Sequence, residues 1–142
     1  MKMQWYEYLK YYKKIPCYHG TNTFFKNPDF SKIGENTSDL NNVNIGFCLT
    51  NNKKYAMNYA KYRSIDGGQP IILKAYIYIN NPFEITNTEL EDVCIDVESA
   101  INFKNQIISE GYDSIIIYTN DGNEEYCIFD ESQVHILNKP KL

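Results

Sequence analysis

The sequence predicts a single domain of the α+β class. Its 142 residues suit one domain with one sizeable core. Segments with alternating β-branched residues indicate strands, and segments with apolar residues three or four positions apart indicate helices. The two kinds follow one another in mixed order, which is typical of α+β proteins. We therefore expect one domain over 1–142 with a core of about 15–137.

The N-terminal third predicts a helix, a short strand and a long loop. Residues 3–14 place aromatic and apolar side chains on one helical face, and Pro16 ends that pattern. Residues 15–19 form a short strand. Residues 22–44 are rich in Asn, Asp, Ser and Gly, and a loop of this length is usually a functional lid or partly disordered.

The middle of the chain predicts strand, helix and strand. Residues 45–50 are the next predicted strand, and Asn51 is the expected N-cap of a helix that runs through Arg63. A tyrosine stripe at helical spacing on this helix is more often core than a ligand-binding surface. Residues 71–79 give the strongest strand pattern, which Asn80-Asn81-Pro82 ends.

The C-terminal half predicts helices followed by strands. Residues 84–98 carry six acids and no base, and they predict one amphipathic helix or two short ones. The helical pattern continues over 100–109, and strands follow over 114–119, 125–129 and 133–137. We interpret the acidic face as solvated, with an acidic binding patch as the alternative.

Charge is divided unevenly along the chain. The net charge is −4, but residues 1–63 carry ten bases and four acids (+6), and residues 64–142 carry four bases and fourteen acids (−10). The balance argues against a nucleic acid held through its phosphates. The basic half could receive one anionic ligand, such as a pyrophosphate, or both halves could be solvated faces.

The four cysteines are far apart, and three lie in apolar, strand-like runs. This pattern predicts small buried thiols rather than a disulfide framework. Neither His19 nor His135 has a partner at metal-ligand spacing, so we expect no metal site. The start lacks the apolar core of a signal peptide and no run could span a membrane, so we expect a cytoplasmic protein.

Two stretches are the candidates for a site. The acidic pair Glu124-Glu125 opens a predicted strand directly after a tight turn. A solvated hairpin tip would explain this pair on its own. Far upstream, His19-Gly20 stands where another strand ends. A histidine and a glutamate that the fold could bring together are a possible site.

Three blocks in this order resemble the ADP-ribosyltransferase superfamily. They are Tyr18-His19-Gly20-Thr21, Gly46-Phe47-Cys48-Leu49-Thr50 with Tyr55-Ala56-Met57-Asn58-Tyr59-Ala60, and Glu125-Tyr126-Cys127-Ile128-Phe129. The resemblance is to the branch of the superfamily that carries a His-Tyr-Glu signature and includes diphtheria toxin and the poly(ADP-ribose) polymerases. The chain is also similar to the small phage and bacterial members. It covers roughly 15–137 and implies a split β-sandwich of two small sheets with flanking helices.

The resemblance also implies roles for individual residues. NAD+ would bind as substrate without a metal, with His19 at the adenosine ribose, the Gly20 backbone at the nicotinamide carboxamide and Tyr59 stacked on the nicotinamide ring. Glu125 would hold the nicotinamide ribose 2′-hydroxyl. Thr21 belongs to the same cofactor-binding block as His19. A fixed carboxylate suits this chemistry because it stabilises the sugar cation that forms as nicotinamide leaves.

Three positions depart from the family pattern. Cys48 stands where relatives carry the second aromatic residue, so that Phe47 or Tyr55 would supply the ring. Ala56 stands where relatives often carry a serine for the carboxamide. On the acceptor side, Asn123 replaces the Glu or Gln of arginine-modifying relatives, which leaves other protein acceptors and nucleic acid open.

Glu124 competes with Glu125 for the catalytic role because adjacent strand residues face opposite sides of a sheet. The Glu-Tyr-x-hydrophobic-aromatic pattern selects Glu125, and Glu124 is then expected on the acceptor side.

The resemblance implies a mono-ADP-ribosyltransferase that modifies a macromolecule, most readily a protein, as a toxin, a phage effector or an anti-defence protein would. An NAD+ glycohydrolase would use the same site with water as the acceptor. A non-catalytic module that binds NAD or a partner is the third hypothesis, supported by Cys48 and Ala56. The NAD-using RNA 2′-phosphotransferases share the fold but need several arginines for phosphates. Arg63 is the only arginine in this chain, so we set that activity aside.

Overall fold

The computed structural model describes residues 13–23, 28 and 46–137. Within these residues the chain forms seven strands and three α-helices, which confirms the predicted α+β class. The strands are β1 (Lys13–Thr21), β2 (Phe47–Thr50), β3 (Ile71–Ile79), β4 (Pro82–Thr86), β5 (Ser114–Tyr118), β6 (Glu124–Ile128) and β7 (Val134–Ile136). The helices are α1 (Lys53–Arg63), α2 (Asn87–Val93) and α3 (Val97–Ser109), and a 3-10 turn spans Glu131–Gln133.

The strands form one sheet that divides into two halves. Its order is β4-β5-β6-β2-β1-β3-β7, with β4 and β5 parallel and the other pairs antiparallel. Strands β1 and β2 are joined at a single register pair, Tyr18 with Thr50. The halves β4-β5-β6-β2 and β1-β3-β7 therefore correspond to the two small sheets that the resemblance implies.

Strand β6 is buried on both faces and contributes to two apolar clusters. Tyr126 and Ile128 pack with residues of β1, β2, β3 and β7 in one cluster. Cys127 belongs to the other, which joins β4 and β5 to α2 and α3. Because side chains alternate along a strand, each face of β6 serves a different cluster.

Helix α1 lies against β1 at Gly20. Its sheet-facing residues Ala56 and Ala60 are buried. A Cβ atom added at Gly20 would lie 2.0 Å from the Ala56 carbonyl oxygen and 2.9 Å from the Ala60 nitrogen. Glycine and two alanines are therefore the residue types that allow helix and strand to approach this closely.

Helices α2 and α3 begin with local capping boxes. Thr86 caps α2 with Glu89, and Asp96 caps α3 with Ser99; in each pair the side chains and backbone N–H groups are bonded reciprocally. Such caps satisfy N–H groups that have no partner inside a helix. No described helix has both the length and the apolar character that a membrane crossing requires.

The main differences from the predicted elements are at the start of β1, at the N-cap of α1 and at β4. Strand β1 begins at Lys13, so the last two residues of the predicted 3–14 helix are strand; the remainder of that helix and most of the 22–44 loop lie outside the described residues. The N-cap of α1 is Asn52 rather than Asn51. Residues 84–86, predicted as the start of the acidic helices, are the end of strand β4, which the sequence did not predict and which pairs in parallel with β5.

The prediction of unpaired thiols is wrong for two cysteines. Cys48 of β2 and Cys127 of β6 are register partners with Cα atoms 4.3 Å apart, and they form a disulfide. The two residues are 79 positions apart in sequence, so only the pairing of β2 with β6 brings them together. Cys17 and Cys94 are free and buried, as predicted.

Candidate functional site

His19 bridges the gap that opens between β1 and β2. Backbone pairing between these strands is confined to Tyr18 and Thr50, one residue away. The Nδ1 atom of His19 lies 2.7 Å from the backbone oxygen of Cys48. A carbonyl oxygen can only accept, so Nδ1 carries the hydrogen and Nε2 is the acceptor nitrogen of the neutral ring. The backbone of β2 therefore sets the tautomer of His19.

The imidazole is also held in the neutral state. Burial lowers the pKa of His19 to about 4, and the bond to Cys48, which acts in the opposite direction, offsets only part of this effect. The ring packs against Phe47 at a centroid distance of 4.4 Å. His19 is therefore a fixed, uncharged hydrogen-bond acceptor at neutral pH.

Glu125 lies two strands away from His19. It is 9% exposed and is a register partner of Thr50 on β2 and of Ile117 on β5. Because Thr50 also pairs with Tyr18, the row Tyr18–Thr50–Glu125 runs across three strands and puts Glu125 about 10 Å from β1. Because side chains alternate along β1, His19 lies on the opposite face of the sheet from Glu125, and β2 lies between the two residues.

The two adjacent glutamates have different surroundings. Glu124 lies on the other face of β6 from Glu125, and its carboxylate accepts a hydrogen bond from the Tyr126 hydroxyl. Burial and this bond together raise the pKa of Tyr126 above its usual range. The Glu124 carboxylate is therefore hydrogen-bonded to Tyr126 of the same strand, on the opposite face of β6 from Glu125.

Three consecutive short polar side chains link the end of β2 to the start of β6 by hydrogen bonds. Thr50 Oγ1 donates to the Glu124 carbonyl at 3.0 Å, and Asn51 Oδ1 accepts from the Glu124 N–H at 3.0 Å. Asn52 Nδ2 donates to Asn123 Oδ1 at 2.8 Å. The residues that lead into Glu125 are therefore held from the β2–α1 junction.

The remaining predicted cofactor-binding residues lie on β1, β2 and α1. Thr21 is half-buried at the end of β1, where its hydroxyl donates to the Thr23 carbonyl. Tyr55 is exposed, and Tyr59 is half-buried one turn further along α1. Gly20 and Ala56, which the resemblance assigns to the carboxamide, face each other at the β1–α1 contact.

Cys48 does not offer a thiol to the gap, because it is bonded to Cys127. Phe47, the neighbouring aromatic residue, packs on His19. The position that carries the second signature aromatic in the resembling proteins is therefore part of a cross-strand disulfide in this chain.

Sequence reasoning missed the contribution of Thr50, Asn51 and Asn52, apart from the suggestion of a helix cap. Three consecutive short hydrogen-bonding side chains at a strand end are a usable signal, since such side chains bond nearby backbone groups. Their partners, 71 to 74 residues later, could not be read from the chain. Among the described residues no group of three His, Cys, Asp or Glu side chains could hold a metal ion.

Comparisons with known proteins identify the family of this chain. None of the curated proteins matches the chain. A solved structure described as the crystal structure of an anti-CRISPR protein aligns at a TM-score of 0.45 and 12% identity, over 87% of this chain and 96% of that one. The family described as ADP-ribosyltransferase in polyvalent proteins matches residues 13–139. The chain therefore belongs to the family of ADP-ribosyltransferases found in polyvalent proteins.

Proposed function

We propose that the protein is an NAD+-dependent mono-ADP-ribosyltransferase that modifies a macromolecular acceptor, most readily a protein, and releases nicotinamide. The proposal depends most on one observation: His19, neutral and with a fixed tautomer, and the nearly buried Glu125 lie on β1 and β6, the strands on either side of β2. Membership of the ADP-ribosyltransferase family supports the reaction class.

Glu125 supplies the electrostatic contribution. In the proposed reaction the bond between the ribose C1′ and the nicotinamide nitrogen breaks, and its electron pair leaves with nicotinamide. Positive charge then develops on the sugar, and a carboxylate held beside it stabilises the transition state more than the ground state. The acceptor's nucleophilic atom forms the new bond to C1′ and loses its proton.

His19 and the aromatic residues orient the substrate. Nε2 of His19, the acceptor nitrogen, receives a hydrogen bond from a ribose hydroxyl in this scheme. Phe47, which packs on His19, and Tyr55 and Tyr59 of α1 would provide rings for the flat nicotinamide. Fixing the leaving ring relative to the sugar turns binding energy into a productive geometry.

Two observations favour a second candidate, a module that binds NAD or a partner without chemistry. The Cys48–Cys127 disulfide occupies the position of the second signature aromatic, and Ala56 has no hydroxyl for the carboxamide. Both changes remove contacts to nicotinamide rather than to the rest of NAD+. The proposed setting, a toxin or phage effector, rests on the resemblance alone.

The test follows nicotinamide release and labelled acceptor when the protein is incubated with NAD+ and a cell lysate. Glu125→Gln keeps the shape of the side chain and removes its charge, so release and label should both fall by about a hundredfold or more. Glu110→Gln on the surface is the matched control, and Glu124→Gln should lose less activity than Glu125→Gln.

The outcomes separate the candidates. Release with a labelled band, both lost in Glu125→Gln, supports the transferase. Release without label in several lysates indicates NAD+ hydrolysis. A shift of the melting temperature by NAD+ with no release favours the binding module, and neither release nor shift contradicts the proposal.

A further inference from the structure

Asn52 lies where β2, α1 and the turn before β6 meet. It follows β2 by two residues and is the N-cap of α1, and its side chain is half-buried. Its Oδ1 accepts from the Tyr55 N–H at 3.0 Å, and its Nδ2 donates to Asn123 Oδ1 at 2.8 Å. One amide group therefore bonds to both the start of the helix and the residue two before Glu125.

The orientation of this amide follows from chemistry. A backbone N–H can only donate, so the atom of Asn52 that faces Tyr55 must be the oxygen. The nitrogen then faces Asn123, which must present its own oxygen. Neither amide can rotate by 180° without losing a hydrogen bond, so the Asn52–Asn123 pair has only one arrangement.

Asn123 is held at its backbone as well. Its N–H donates to Thr119 Oγ1 at 3.0 Å, and its carbonyl accepts from the Thr119 N–H at 2.9 Å. The turn that precedes β6 is therefore rigid on its own. The Asn52 amide fixes where that turn stands relative to α1, the helix that carries Tyr55 and Tyr59.

We propose that Asn52 is a positioning residue for nicotinamide release, an inference that rests on the proposed function. Together with the bonds from Thr50 and Asn51 to Glu124, its two hydrogen bonds hold the start of β6 against α1, the helix that carries Tyr55 and Tyr59. Without the bond to Asn123, the turn before β6 is held less firmly against α1, and small misplacements of reacting groups are costly in rate. Asn52 itself contacts neither reacting atom.

The experiment removes the hydrogen bond between Asn52 and Asn123 while keeping an N-cap residue at the start of α1. Asn52→Ser retains a good N-cap residue but is too short to reach Asn123. Asn123→Ala removes the other partner, and the double variant removes both. The kcat for nicotinamide release should fall about tenfold in each single variant, as expected for one neutral hydrogen bond. The KM for NAD+ should change by less than about twofold, because binding to α1 and β1 is retained.

The coupling between the two positions is the decisive readout. If both act through one hydrogen bond, the double variant should be no slower than either single variant. Asp96→Ala at the distant cap of α3 is the stability control, since it should lose a similar amount of stability without losing kcat.

Each result has a distinct meaning. A kcat for Asn52→Ser equal to that of the control, a loss confined to KM, or multiplying losses in the double variant would overturn the inference while leaving the proposed function standing. A wild-type protein that releases no nicotinamide would overturn both.

Discussion

The part of the molecule around His19 and Glu125 and the part built from α2 and α3 are stabilised over different distances along the chain. Around the site, the bonds from Thr50, Asn51 and Asn52 span 71 to 74 residues. At α2 and α3, the capping bonds Thr86–Glu89 and Asp96–Ser99 span three residues. The site is therefore assembled by tertiary structure, and the acidic helices begin through local signals.

The two parts also differ in how much room a substituted side chain has. The α2–α3 region exposes five large apolar side chains, Val93, Ile95, Val97, Ile101 and Ile108. At the site, by contrast, helix and strand approach so closely that Gly20 has no room for a methyl group. Substitutions should thus be costly at the β1–α1 contact and tolerated better on α3.

The largest stability effect should come from Gly20→Ala. The added Cβ would lie 2.0 Å from the Ala56 carbonyl oxygen, which belongs to a helix backbone and cannot yield locally. We expect a loss of about 3 kcal/mol or more in the free energy of unfolding, measured by urea denaturation.

The control for this substitution is Gly122→Ala. Gly122 has open space around it and a φ of +86°, so it should lose only the cost of backbone strain, about 1 kcal/mol. Equal losses at Gly20 and Gly122 would show that α1 and β1 are not packed as closely as described.

The next largest effect should be on the pH dependence of stability, which differs between the site and the acidic helices. The pKa of His19 is about 4 in the folded protein and about 6.5 when unfolded, so only the unfolded state binds this proton between those values. Stability should therefore fall as the pH drops from 6.5 to 4, and the fall should be smaller in His19→Asn.

The acidic helices should respond only at lower pH. Hydrogen bonds from the Ser99 backbone and hydroxyl lower the pKa of Asp96, so its contribution is present above the ordinary aspartate pKa and is lost below it. Melting curves of the wild type, His19→Asn and Asp96→Ala across the pH range measure both. Identical curves for wild type and His19→Asn above pH 4 would contradict a buried neutral histidine.

The smallest effect should come from Asp96→Ala. Loss of the N-cap should lower the free energy of unfolding by about 1 kcal/mol. Nicotinamide release should not change, because Asp96 is exposed and its side chain bonds to Ser99 at the start of α3. Urea denaturation and the release assay measure the two quantities, and a clear loss of activity would show that the acidic helices support the site.

Elements with strong periodic patterns were predicted well. The bounds of β3, Ile71–Ile79, agree with the prediction because nine consecutive residues carry a strand pattern and a break ends it. The end of α1 at Arg63 also agrees, whereas its cap moved from Asn51 to Asn52. Two neighbouring asparagines are equally good caps, and the choice depends on Asn51 being bonded to Glu124 of β6.

The sequence by itself determined the α+β class, the strongest strand, the main helices and the candidate site residues. The fold class and the elements follow from periodicity and from cap and turn residues, which act over a few positions. The candidate site residues follow from the resemblance of three short motifs to a known family. Only tertiary structure decided that β4 is a strand, that Cys48 and Cys127 are bonded, and that His19 donates to Cys48 and is neutral. Each depends on partners brought together by strand pairing across 29 to 79 positions, and no local pattern encodes such a register.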